Sequence, residues 1–368
     1  MKILFYIHGI TSGGGERVLA TLANEFVKCG ENVGIATDTK TPFAYQIDSR
    51  IVLHDLYEGT NKNSNHILKV YNSILVRRNI RCIAKKEMPD IIVAFMSALG
   101  CSVVASTLGL GIPVVVSEHT NVSRKLGRLL DIKRRLFYPL ANAVTILTRY
   151  DKKLWKNKYG NVVYMPNPVT LKEDKGSLNR DKTILAVGRV NQWEIKGFDN
   201  LLRCWSKLCH LHPDWKLKIA GNADKNALEL LNALANELGC CNYEFLGFRK
   251  DVYELMQRSE VFCLSSRMEG LPMALIEAMN AGCCCVSFDV VTGPREIIHH
   301  GFSGLIAKDQ DNEDLIESLE KVMSDDVLRK RLALNAPRSI MRYSTDRIIN
   351  RWYILFDIIL NKKKLGIS

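Results

Sequence analysis

The strongest constraint on this chain is a rhythm that runs through it twice. Short apolar runs rich in β-formers alternate with amphipathic stretches, stop at a polar segment holding two prolines, and start again. In the first half the runs are KILFYI (2–7), NVGIAT (32–37), DIIVAF (90–95), IPVVVS (112–117) and AVTIL (143–147). In the second they are TILAVG (183–188), WKLKIAG (215–221), YEFLG (243–247), VFCLSS (261–266) and CCCVSFD (283–289). Consecutive parallel strands need crossovers of about a dozen residues or more, usually helical, and most of these gaps are long enough. Two parallel α/β domains in tandem are therefore expected. A chain of 368 residues also exceeds what one core comfortably serves. YMPNPVTLKEDKGSLNRDK (164–182) is the linker candidate. The stretch 312–360 reads as helical throughout, broken at Pro337 and recapped at Ser344-Thr345.

Residues 91–117 carry no charge and are long enough to mimic a membrane span. Their interior punctuation favours strand, helix and strand instead: IIVAF and PVVVS are the strands, and SALGCSVVASTLGL is the helix. The N-terminal run is short, is interrupted by His8 and has no cleavage site, so no signal peptide is expected. None of the 11 cysteines forms a CxxC pair, even with Cys283, Cys284 and Cys285 adjacent. That usage suits a reducing cytoplasm and cysteines acting as small core hydrophobes.

Net charge is uneven. Residues 1–165 hold 23 Lys and Arg against 12 Asp and Glu, whereas residues 166–368 hold 28 against 27. The excess concentrates in RRNIRCIAKK (77–86) and RKLGRLLDIKRR (124–135). It points to an anionic partner for the first half, such as a nucleic acid or a membrane. In 124–135, Leu126, Leu129, Leu130 and Ile132, with Leu136 beyond, intersperse the cations Arg124, Lys125, Arg128, Lys133, Arg134 and Arg135, as an interfacial helix does. A plain solvated basic face is the bland alternative.

Four motifs carry candidate chemistry. HGITSGGGER ends a strand and opens a helix through Gly13, Gly14 and Gly15. Such glycines let backbone N–H groups approach a phosphate, although neither the dinucleotide fingerprint nor a P-loop is present, and a flexible loop is an equal reading. VGRVNQWEIKGF places Arg189 after a buried strand and Lys196 before a helix, a pair suited to a diphosphate. SEHTN puts His119 just past a strand, a favoured location for ligand contact in parallel sheets. EGLPMALIE sets Glu269 in a loop and Glu277 on the helix that Pro272 opens, around the turn at Gly270-Leu271. Two acids in so apolar a setting suggest a shared polar ligand more than a solvated face. DQD at 309–311 looks like a metal motif, yet its polar turn before a helix is better explained by capping. No zinc-protease motif, Cys/His metal spacing or nucleophile elbow occurs.

The ordered set GG-x-E-R, S-E-H, P-N-P, G-R…K-G, E-G-L-P-x(4)-E and G-P-x-E-I-I resembles family 4 of the retaining glycosyltransferases. The resemblance covers nearly the whole chain and is nearest to bacterial enzymes that build O-antigen, capsule or protein-linked oligosaccharides on undecaprenyl diphosphate. It implies the GT-B fold, two Rossmann-like parallel α/β domains facing across a cleft. Residues 1–165 would bind the acceptor, with a C-terminal helix from about 344 to 368 packing back on them, and 166–343 would bind the nucleotide sugar. Arg189 and Lys196 would hold the donor diphosphate and Glu277 the ribose hydroxyls. Glu269 would meet the donor sugar, with Gly270 and Leu271 in the turn between the two acids. Gly14 and Gly15 would close over the phosphates, His119 would face the transfer site, and Gly293 to Ile298 would lie near the nucleotide. GGGER carries one glycine more than the family needs.

The implied reaction moves an α-linked hexose or N-acetylhexosamine from a UDP-sugar to a lipid-diphosphate-linked saccharide. It uses no metal or other cofactor and no nucleic acid. The enzyme would be cytoplasmic, peripheral on the anionic inner face of the cell membrane through 77–86 and 124–135. A nucleotide-sugar hydrolase or epimerase of the same fold is the nearest alternative. A non-catalytic membrane-surface module would explain the basic half but not the acids or the G-R…K-G pair, and a dehydrogenase would need the missing fingerprint.

Overall fold

The computed structural model describes residues 1–11, 13–60, 66–121, 127–171 and 179–365. The chain divides into two compact units, Met1–Pro168 with Thr345–Ser368, and Val169–Ser344. Of the linker candidate, residues 172–178 lie outside the described residues.

The first unit runs β1 (Lys2–Tyr6), α1 (Gly14–Lys28), β2 (Asn32–Thr37), β3 (Val52–Asp55), α2 (His66–Glu87), β4 (Ile91–Phe95), α3 (Ser97–Thr107), β5 (Val114–Ser117), α4 (Arg128–Phe137), β6 (Ala143–Ile146), α5 (Arg149–Tyr159) and β7 (Val162–Tyr164). The second runs β8 (Asp181–Val187), α6 (Trp193–Lys196), α7 (Phe198–Leu208), β9 (Lys216–Ala220), α8 (Lys225–Glu237), β10 (Tyr243–Gly247), α9 (Val252–Arg258), β11 (Ser259–Leu264), α10 (Met273–Asn280), β12 (Cys284–Phe288), α11 (Pro294–Ile297), β13 (Leu305–Ala307), α12 (Asn312–Ser324) and α13 (Asp326–Ile340). A final helix, α14 (Thr345–Lys364), belongs to the first unit.

Each unit is one parallel sheet, ordered β3-β2-β1-β4-β5-β6-β7 in the first and β10-β9-β8-β11-β12-β13 in the second. Both faces are covered, which is why central strands such as β4 and β12 are apolar and buried along their whole length. In β1, Ile3 and Phe5 join the core under α1 and α14, while Leu4 and Tyr6 join the core under α2 and α3. The two-residue period of a strand makes that division. The uncharged segment 91–117 is β4, α3 and β5, and no helix among the described residues is long and apolar enough to cross a membrane.

The structure adds three strands and moves one boundary. The added strands, β3, β7 and β13, are sheet-edge strands of three or four residues. They are too short to show a run, and β3 is half-exposed with His54 and Asp55 in it. The helical tail breaks at Asp325, not at Pro337. Asp325 ends α12 and caps α13, its carboxylate accepting from the Leu328 N–H at 2.9 Å. Pro337 lies inside α13 but in its last turn, so its missing N–H forfeits a single helical bond. Ala336 and Ile340, on either side of Pro337, are fully buried.

Candidate active site

In each sheet the strand order reverses beside the first strand, between β1 and β4 and between β8 and β11. Ligands in open parallel sheets bind outside the carboxyl ends of strands at such a point. In the second unit the loops there hold the G-R…K-G and EGLP motifs. After β8 the chain passes Gly188 and Arg189 into a 3-10 turn, Val190–Gln192, and then α6, which ends at Lys196. Gly197 follows with φ +63, and a Cβ on it would sit 1.9 Å from the Ser265 carbonyl oxygen. Only glycine brings α6 this close to the end of β11. The Lys196 chain then lies across Gly188, its Cγ 3.2 Å from where a Cβ would stand.

The loop after β11 meets this lysine. Lys196 Nζ donates to Glu269 Oε1 at 2.8 Å, and the Ser266 hydroxyl donates to the same oxygen at 2.6 Å. The Ser265 hydroxyl donates to the Lys196 carbonyl at 3.0 Å, and the Thr292 hydroxyl donates to the Glu269 carbonyl. Glu269 is therefore no solvated acid; its side chain is 10% exposed and that of Lys196 24%. Arg267 braces the loop with a bidentate pair to Asp199, at 2.7 Å on each arm. Gly270 and Leu271 make the turn, and Gly293 packs on it with φ +99, its absent Cβ leaving room for Pro272 and the Gly270 carbonyl.

Pro272 is the residue before α10 rather than its first, and Glu277 stands half-buried on the second turn of that helix. Arg189 is exposed, and among the described residues no ion pair or side-chain hydrogen bond holds its guanidinium. The structure thus joins Lys196 to Glu269 directly and sets Arg189 and Glu277 on adjoining elements. DQD is a cap: Asp311 accepts from the Asp314 N–H at 3.2 Å.

In the first unit the glycines separate by environment. Gly13 precedes α1 beneath the Glu16 carboxylate, its carbonyl accepting from Tyr45 at 3.1 Å. Gly15 is packed against Met96 and His119. Gly14, the first residue of α1, is exposed, with open space where a side chain would project. Met96 closes β4 in the left-handed region, φ 70. His119 stacks on Phe95 with ring centres 4.8 Å apart, and its Nε2 lies 3.0 Å from the Ser117 hydroxyl. Burial lowers its pKa to about 4, so the imidazole is neutral near pH 7.

Two groups of residues escaped the sequence reading. Ser265, Ser266 and Thr292 belong to the Lys196–Glu269 network, and the signal was faint: hydroxyls just past strands. The second group is a buried cluster beside His119. Glu118 is 2% exposed and accepts from Tyr138, with Arg134 Nη2 3.4 Å away. Arg134 also donates to Ser97 at 2.5 Å and stacks over Trp155 at 5.1 Å. This corrects the basic stretch 124–135: Arg134 is 3% exposed and belongs to the interior, not to a surface patch. Arg124, Lys125 and Leu126 lie outside the described residues.

Two parallel sheets, the second with cationic and acidic groups beside its switch point, are an arrangement suited to enzymes that transfer sugars from activated donors. The chain belongs to the group 1 and family 4 glycosyltransferases: the description "Glycosyl transferases group 1" matches residues 170–339, and "Glycosyltransferase Family 4" matches residues 12–173. An uncharacterized glycosyltransferase of Haemophilus influenzae is 29% identical over 95% of this chain and 98% of its own length. A Campylobacter jejuni GalNAc-alpha-(1->4)-GalNAc-alpha-(1->3)-diNAcBac-PP-undecaprenol alpha-1,4-N-acetyl-D-galactosaminyltransferase is 27% identical over 98% of this chain and 99% of its own. Among solved structures, the Anabaena protein Alr3699/HepE in complex with UDP and glucose superposes with a TM-score of 0.76 at 17% identity, covering 97% of this chain and 100% of its own. The fold is GT-B, and the chain is a glycosyltransferase.

Proposed function

We propose that the protein is a retaining transferase that moves an α-linked hexose or N-acetylhexosamine from a UDP-sugar to an undecaprenyl-diphosphate-linked saccharide. The observation that carries the reading is the Lys196–Glu269 pair, 2.8 Å apart at the carboxyl ends of β8 and β11, with exposed Arg189 at its side. The second unit is read as the donor domain. Arg189, Lys196 and the turn at Gly270-Leu271 that leads into α10 are read as facing the diphosphate, with Glu277 taking the ribose hydroxyls and Glu269 the sugar. In the first unit Gly14, exposed at the start of α1, is read as the glycine that meets phosphate, with Gly15 packed against Met96 and His119, and this unit is read as taking the acceptor beside His119.

In the reaction the bond from the anomeric carbon to the diphosphate oxygen breaks, and a bond to the acceptor oxygen forms on the same face. The acceptor proton passes to the leaving phosphate oxygen, so the step needs no dedicated base and is read as metal-independent. Positive charge grows on the sugar and negative charge on UDP, which is where these cations and Glu269 act. Incubating UDP-sugars with lipid-diphosphate saccharides should give one acceptor gaining one sugar mass, with the donor's anomeric configuration kept by NMR. An inverted product, or hydrolysis that ignores the acceptor, rejects the reading in favour of another chemistry on this fold.

The first unit is read as docking on the anionic inner leaflet. Helix α4 exposes Leu129 (68%), Ile132 (54%) and Leu136 (60%) on one stripe, with Arg128 and Arg135 beside it. Leu140 continues the stripe into a groove of about 990 Å³ whose lining includes Ile354, Ile358, Lys362 and Lys363 of α14. In α2, Arg77, Arg78, Lys85 and Lys86 are exposed, whereas Arg81 donates to the Ser106 and Leu108 carbonyls at the end of α3. Each surface cation is worth about 1 kcal/mol near anionic lipid. Replacing Arg128, Lys133 and Arg135 together by Gln should cut co-sedimentation with phosphatidylglycerol-containing vesicles by at least about tenfold. Equal binding by the variant and the parent defeats the docking surface.

A further inference from the structure

Away from the transfer site, the second unit gathers Cys209, His210 and Cys241, whose ligand atoms all lie within 4.8 Å of one another. Cys209 is the residue that ends α7, its N–H donating to the Trp205 carbonyl at 2.8 Å. Cys241 lies in the connection from α8 to β10, and its N–H donates to Cys209 Sγ at 3.4 Å. Trp205 Nε1 donates to the Cys241 carbonyl at 2.7 Å, so both segments are fixed before any ligand arrives. Cys240 turns the other way, its Sγ donating to the Leu202 carbonyl at 3.4 Å.

The histidine supplies the second observation. His210 Nε2 lies 3.0 Å from the Gly239 carbonyl, an atom that only accepts. Nε2 therefore carries the hydrogen, and in the neutral ring the lone pair is left on Nδ1. Nδ1 faces Cys241 Sγ at 3.9 Å. A ring nitrogen whose partner nitrogen donates to a carbonyl is the arrangement found behind most metal-bound histidines. Zinc bonds of about 2.3 Å to sulfur and about 2.0 Å to nitrogen put tetrahedral S–N edges near 3.6 Å. The Cys241–His210 spacing of 3.9 Å needs to close by only a few tenths of an ångström, and the widest spacing in the trio, within 4.8 Å, by about one ångström at most.

We propose that Cys209, His210 and Cys241 form a binding site for a soft or borderline divalent cation of the zinc type. Both thiols give their protons to solvent on binding, Nδ1 is the third ligand, and water on the exposed side of His210 is the fourth. The cluster lies where β9 and β10 begin, at the opposite end of the parallel strands from Lys196 and Glu269, which follow the ends of β8 and β11, so the cation is structural and takes no part in transfer. It ties the end of α7 to the connection before β10. Sequence spacing hides it because Cys241 is 31 positions from His210.

The test titrates Co²⁺ into the reduced full chain. One equivalent should produce thiolate-to-cobalt charge-transfer absorption that Zn²⁺ displaces. Cys241→Ser and His210→Ala should each weaken cobalt binding by about a hundredfold, since outer-shell losses alone cost ten- to hundredfold. Zn²⁺ should raise the thermal midpoint of the parent chain and not of Cys241→Ser, and a chelator should reverse the shift. The absence of the band, or a band unchanged in both variants because cysteines such as exposed Cys29 and Cys82 make it, overturns the site. So does a Cys209–Cys241 disulfide that, once reduced, still takes up no cobalt.

Discussion

Lys196→Ala is expected to lower the rate of sugar transfer by about two to three orders of magnitude, the usual loss when a donor aimed at developing charge is removed. Arg189→Ala should fall in the same range. The two should differ in what they do to Glu269. Lys196 is its ion-pair partner at 2.8 Å, so removing the lysine leaves a carboxylate that keeps the Ser266 hydroxyl but has lost that cation. Arg189 has no such partner among the described residues. A double-mutant cycle with Glu269→Gln should therefore show coupling of about 1 kcal/mol or more for Lys196 and near additivity for Arg189. Initial rates at saturating donor and acceptor give all the corners. If both single variants stay within a few-fold of the parent, the cations are surface residues and the site lies elsewhere.

The second large effect falls on stability. Glu118→Gln or Arg134→Met each breaks the buried pair and strands the other charge, which typically costs about 3–5 kcal/mol. Arg134 would lose Glu118 but keep Ser97 and the Trp155 face; Glu118 would lose Arg134 but keep Tyr138. Burial, and then the Glu118 carboxylate, hold the Tyr138 phenol well above its usual pKa, so it remains a donor. The urea midpoint of the first unit should drop strongly in either single variant, and the double variant should recover part of the loss. Wild-type midpoints in both single variants would mean that the charges are solvated. Because His119 directly follows Glu118, the milder substitutions should also disturb the ring stacked on Phe95.

The sheets were legible because their strands are buried on both faces and so appear as unbroken apolar runs, as in IIVAF and CCCVS. Three of the four edge strands were not, since β3, β7 and β13 run for only three or four residues, as in VLHD and LIA, and edge strands need less apolar length. EGLPMALIE and GRVNQWEIKG marked the elements of the candidate site through charges set beside apolar runs. What the motifs could not convey is that Lys196 and Glu269 form one pair, for they are 73 positions apart and meet only through the approach that Gly197 permits. Arg134 misled for a related reason. A basic stretch offers several similar cations, and only the fold selects the one that turns inward to Glu118.

Helix α14 has a consequence for how the protein comes into being. Ile348, Trp352, Phe356 and Ile359 fill the same core as Ile3, Phe5 and Phe26, with the Phe26 ring 5.7 Å from that of Phe356. During translation the first sheet must wait, one face covered only in part by α1, while Val169–Ser344 is made and collapses on its own. Only when Thr345–Lys364 leaves the ribosome can the earliest strands be sealed. The nascent chain thus carries its longest-lived aggregation hazard in the half made first, and a premature stop before Thr345 damages that half while sparing the one made just before it.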